Sequence, residues 1–202
     1  MPIKRLSQSG LLTFAKHSNM LAGNAPVSFG AFDLLETTTL ATEVSSLSFT
    51  GLGAYASSYK HLQIRCVARA GASTGAGQLG LDIELNGDTG STYATHRLTA
   101  NGSSVTSSGG GSRPEMEISD FVLGTDSPAG AFGVAVVDFL DAFSNTKNTT
   151  IRAMAGETGG SDPKITLNSG AWFNTDSITS MLIDLNGSLF GVNSRFSLYG
   201  VK

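Results

Sequence analysis

The residue types and spacings that could do chemistry lie together in GAGQLGLDIELNGDTG, from Gly75 to Gly90. Gly75, Gly77 and Gly80 match the G-x-G-x-x-G spacing that cradles a dinucleotide pyrophosphate. That chemistry needs a strand before the glycines and a helix after them, because the phosphates rest on the helix N-terminus. Here LDIEL follows, an alternating run of strand period. The glycines therefore read as a flexible hairpin between two neighbouring strands, and no nucleotide site is expected.

The carboxylates Asp82, Glu84 and Asp88 come next. Two acids ~5–9.5 Å apart can hydrolyse a glycoside. Acids at i and i+2 on an amphipathic strand are more simply its solvated side, and Trp172, the only tryptophan, is far away in sequence. The NGDTGS turn carries oxygens but lacks the acid spacing of a calcium loop. A β-turn with permissive backbone at Asn86, Gly87 and Gly90 accounts for it. His17, His61 and His96 are scattered, and no serine sits in G-x-S-x-G. We expect no catalytic residues, no metal and no cofactor.

The surrounding elements read as short strands. KHLQIRCVARA sets Leu62, Ile64, Cys66 and Ala68 against Gln63, Arg65, Val67 and Arg69, and LGLDIEL alternates more cleanly. FGVAVVDFL, TTIRAMAG, ITSMLIDL and SRFSLYGV follow, separated by turn formers such as NGSSVTSSGGGS and GETGGSDP. With LLETTTL, VSSLSF, TYATHRL and EMEISDFVL, about ten or eleven strands are expected, the density of a sandwich or barrel. Composition agrees. Charged residues are 14% of the chain against the ~25% usual for globular domains, and 71 of 202 residues are Ser, Thr or Gly. The expected fold is all-β: an antiparallel, jelly-roll-like β-sandwich over 33–202.

Residues 1–32 differ. They carry Lys4, Arg5 and Lys16 with no acid, and short apolar clusters at Leu11, Leu12, Phe14, Met20 and Leu21. We read them as an extended N-terminal docking arm laid along a partner. The opening MPIKR is basic, but the apolar block of a signal peptide does not follow. A net charge of −3 gives no basic footprint for nucleic acid, and no run is apolar enough to span a membrane. The single Cys66 reads as a small core hydrophobe.

The phrases YKHLQIRCVARA, LNGDTGSTYATHRL, VVDFLDAFSNTKNTTIRAMAG, GAWFNTDSITSMLIDL and the closing SRFSLYGVK go further in combination. Together they resemble a family of small virion structural proteins of tailed bacteriophages, many of them marine or cyanobacterial. The resemblance spans about residues 33–202. It implies a β-sandwich displayed on the virion as a homo-oligomer, made in the host cytoplasm and contacting other capsid or tail proteins, with no catalytic residues to carry over. A trimer is the symmetry we expect. A capsid cement or decoration protein is favoured, because no internal repeat suggests a fibre shaft. A tail fibre or baseplate appendage is the alternative. A carbohydrate-binding module, stacking a sugar on Tyr93, Trp172 or Tyr199, is the second.

Overall fold

A computed structural model describes residues 31–72 and 77–202, of which Leu34–Lys202 form one compact unit. The strands are β1 (Phe32–Thr39), β2 (Ser46–Thr50), β3 (His61–Ala68), β4 (Gln78–Leu85), β5 (Tyr93–Ala100) and β6 (Val105–Arg113), then β7 (Met116–Leu123), β8 (Gly133–Leu140), β9 (Thr149–Glu157), β10 (Lys164–Trp172), β11 (Ser180–Asp184) and β12 (Arg195–Val201). A short 3-10 turn, Leu52–Tyr55, is the one helical element among the described residues.

The strands form an eight-stranded sheet, β1-β12-β3-β8-β9-β10-β5-β6, and a four-stranded sheet, β2-β11-β4-β7. Setting aside β5, β6, β9 and β10 leaves β1-β12-β3-β8 facing β2-β11-β4-β7. Renumbered, those orders are 1-8-3-6 and 2-7-4-5, the double Greek key of a jelly roll. The hairpins β5–β6 and β9–β10 both extend the larger sheet on its β8 side. The expected fold is the observed one, an antiparallel β-sandwich.

Period-two alternation drives the layering. Leu62, Ile64, Cys66 and Ala68 of β3, Ile151, Ala153 and Ala155 of β9, and Leu81, Ile83 and Leu85 of β4 are all buried between the sheets. Cys66 is one of these core residues, and burial pushes its thiol up to about 12, so it behaves as the expected small hydrophobe. One connection differs from expectation. The stretch from β3 to β4 joins strands of different sheets, so it is a crossover and not a hairpin between neighbours. Residues 73–76 of that stretch lie outside the described residues.

Two Asn-Gly turns close tightly, the first of them the one anticipated at Asn86. Asn86 and Gly87 both have positive φ, and the Asp88 amide donates to the Leu85 carbonyl at 3.0 Å. Asn186 and Gly187 repeat this, with the Ser188 amide donating to Leu185 at 3.1 Å. The Asn86 carboxamide also accepts from the amides of Thr179 and Ser180, fixing the entry to β11.

β7 carries a bulge that nothing in the sequence announces. Leu79 pairs with Val122 and Leu81 with Ile118, so residues 119–121 stand opposite Gly80, with Asp120 at φ 58°. The bulge presses the Phe121 carbonyl onto Gly133 at the start of β8, where a Cβ would overlap it. Gly133→Ala is therefore expected to cost about 2–3 kcal/mol by forcing the two strands apart. An unchanged thermal midpoint in that variant would refute the close approach.

Candidate assembly surface

The acids singled out in the sequence fall on two elements, Asp82 and Glu84 on β4 and Asp88 in the turn that follows it. Asp82 lies on the outer face of the four-stranded sheet, paired across to Asp184 of β11 and to Glu117 of β7. Burial first, and then the charges of Glu115, Asp184 and Glu117, push its carboxyl up to about 7 against the opposing pull of Arg113. Glu84 shares that outer face, two residues along β4, where Asp82 is buried and Glu84 half-buried. Asp88 has a different task. It accepts from Trp172 Nε1 at 2.7 Å, from Thr92 Oγ1 at 2.9 Å and from the Gly90 amide at 2.9 Å. Those bonds, the indole's first, hold its carboxyl below the usual range. It clamps the turn through these bonds. Gathered this closely, Asp82, Glu115, Asp184 and Glu117 can share a proton.

The remaining candidates separate as well. His61 Nδ1 accepts from the Asp141 amide at 2.8 Å, and His96 lies exposed over Gly109. Among the described residues no three His, Cys, Asp or Glu side chains gather to hold a metal, and no helix is long and apolar enough to cross a membrane. Tyr93 and Trp172 are fully buried, and the Tyr199 ring lies under the Arg65 guanidinium at 4.4 Å. None of the three is an open platform for a sugar. The docking-arm residues Lys4, Arg5, Leu11, Leu12, Phe14, Lys16, Met20 and Leu21, like His17, lie outside the described residues.

The surface that sequence reasoning missed is the outer face of the eight-stranded sheet. Registers align Val136 of β8 with Met154 of β9, Leu167 of β10 and Leu98 of β5 in one row. The next outward row runs Val134, Gly156, Ile165, Ala100 and Val105 across β8, β9, β10, β5 and β6. Val134, Met154, Ile165, Leu167, Leu98 and Val105 are each 46–66% exposed. Gly156, lacking a side chain, floors a hollow of about 440 Å³ between Phe132, Val134, Met154 and Ile165.

A polar row borders the apolar ones. Arg65 Nε donates to Gln63 Oε1 at 2.7 Å, and Gln63 Nε2 donates to Asp138 Oδ1 at 2.7 Å. Arg152 Nε then donates to the other Asp138 oxygen at 2.9 Å. These groups satisfy one another in a chain across β3, β8 and β9. An apolar core with a networked polar rim is the anatomy of a protein interface. The sequence signal was the doubled apolar character of GVAVV in β8, with valines on both faces.

No protein-family model matches the chain. No curated protein sequence matches it significantly either. The reading of this surface therefore rests on its own geometry.

Proposed function

We propose that this chain is a structural component of a tailed-phage virion that works by assembly rather than by catalysis, most simply as a capsid cement or decoration protein. The observation that carries the reading is the pair of exposed apolar rows on the larger sheet, beside a molecule whose polar clusters are turn clamps and ion pairs. Exposed apolar surface of this extent marks an interaction site. Jelly rolls recur in viral capsids, which supports the reading by fold-level analogy alone. The resemblance of YKHLQIRCVARA through SRFSLYGVK to phage virion proteins points the same way, and the basic, acid-free segment 1–32 offers a means of attachment.

The test is to label the protein on purified particles and image them by electron microscopy. Label spread over the head is the expected result. Label confined to the tail would move the protein to a fibre or baseplate. Particles carrying no label would overturn the virion reading.

A further inference from the structure

We infer that the occupant of the apolar face is a second copy of the same chain, packed sheet against sheet about a two-fold axis. The inference rests on the reading that the protein acts by assembly, and it names the contact. The face complements itself in shape. Between the two apolar rows runs a row whose side chains all point inward: Ala135, Ala155, Thr166 and Thr99. An axis lying over that row, in the plane between two facing sheets, exchanges the rows on either side of it. It sets Met154 of each copy over Gly156 of the other, and Leu98 over Ala100. Met154 and Leu98 thus each meet a position with little or no side chain, and the hollow above Gly156 receives the partner copy's Met154 thioether. Val136 meets Val134 and Leu167 meets Ile165, aliphatic against aliphatic.

The size is right for this. The six most exposed apolar residues of the face leave on the order of 500–600 Å² uncovered, at the top of the range for a monomer. With the rim of Arg65, Asp138 and Arg152 added, the face approaches the ~800 Å² per partner of a standard interface. Packing two such faces at about 10 Å removes the apolar rows from water without disturbing either sheet. A two-fold contact is isologous and closes on itself, so it generates a dimer alone or, combined with a three-fold axis elsewhere, a six-membered assembly.

The experiment is the mass of the full-length protein in solution, by sedimentation equilibrium. The expected result is an even multiple of the 20.9 kDa chain. Met154→Asp and, separately, Leu167→Asp should halve that mass while leaving the circular dichroism unchanged. In parallel, peroxide should oxidise Met154 several-fold more slowly in the native protein than in Leu167→Asp. This readout decides the matter should Met154→Asp fail to fold. A monomer, an odd-numbered oligomer, or variants of unchanged mass would overturn the inference. A monomer whose Met154 is nevertheless protected would also overturn it, and would give the face to the chain's own segment 1–30. None of these results depends on where the protein sits on a particle, so the inference and the virion reading fail separately.

Discussion

Between about pH 4 and pH 7 the protein is expected to lose stability as the pH rises, and Asp82→Asn is expected to remove most of that loss. The cause is the carboxyl of Asp82, buried on the outer face of the smaller sheet beside Asp184, Glu115 and Glu117 and held at about 7. In the unfolded chain it ionises near 3.8. The folded state thus binds the proton more tightly. Its contribution is fully present below the unfolded value and is lost progressively as the pH climbs through the folded one. Glu115, raised by the same burial and by Asp184, adds a slope of the same sign. Asp88, lowered by its bond to Trp172, acts oppositely and only at more acid pH, where its protonation weakens the fold.

At about 1.4 kcal/mol per pH unit the Asp82 effect has a ceiling near 4 kcal/mol. Proton sharing with the neighbouring acids reduces it to about 1–3 kcal/mol. Asparagine keeps the shape and gives those neighbours a donor. Urea midpoints at pH 4, 5.5, 7 and 8.5 should show the variant near the native protein at pH 4 and clearly above it at pH 8.5. Parallel curves across the range would sink the explanation.

Which parts of this structure the sequence reveals depends on what kind of contact holds each strand. β3, β4 and β9 bury aliphatic side chains on one face only, or nearly so, and alternation exposes them directly. β10 and β6 do not, and neither is legible as a strand. KITLNSGAW turns Thr166, Asn168 and Gly170 inward, because β7 lies close beneath it and Met116 occupies the space a side chain at Gly170 would need. Ile165 and Leu167 face out, so over 165–170 its polarity is the reverse of the usual pattern, and only Trp172 at its end is a large apolar residue turned inward. VTSSGGGSR in β6 has almost no side-chain pattern and is held by backbone pairing to β5 at the sheet edge. The candidate surface stayed hidden for a related reason. Val136, Met154, Leu167 and Leu98 come from four segments, and only the registers of three hairpin and crossover pairings bring them into line. A strand's alternation says which residues share a face, not which face looks outward. The β7 bulge is invisible for the same reason: its existence is a statement about Gly80 on another strand.

Trp172→Ala is expected to be the most damaging single substitution in the sandwich, at about 3–5 kcal/mol. The indole is fully buried at the end of β10, in register with Tyr93 of β5. The two rings stack with centroids 6.3 Å apart and an 18° tilt. Each ring also carries a polar handle into the smaller sheet. Trp172 Nε1 donates to Asp88 in the turn that follows β4, and the Tyr93 hydroxyl accepts from the Leu85 amide at 2.8 Å at the end of that strand. The pair therefore pins the overhanging β10 and β5 of the larger sheet to the last residues of β4 in the smaller one. Truncation to alanine removes a large apolar volume, breaks the stack and frees the turn at once. Trp172→Phe keeps a ring in place and forfeits mainly the bond to Asp88, so it should cost a smaller amount, about 1–2 kcal/mol. Because Trp172 is the only tryptophan, unfolding of all three proteins has to be followed by circular dichroism in urea rather than by fluorescence. Equal losses in the two variants would mean that the hydrogen bond, not the packed ring, holds the sheets together there. A loss below about 1 kcal/mol for Trp172→Ala would mean that the sandwich closes without this tie.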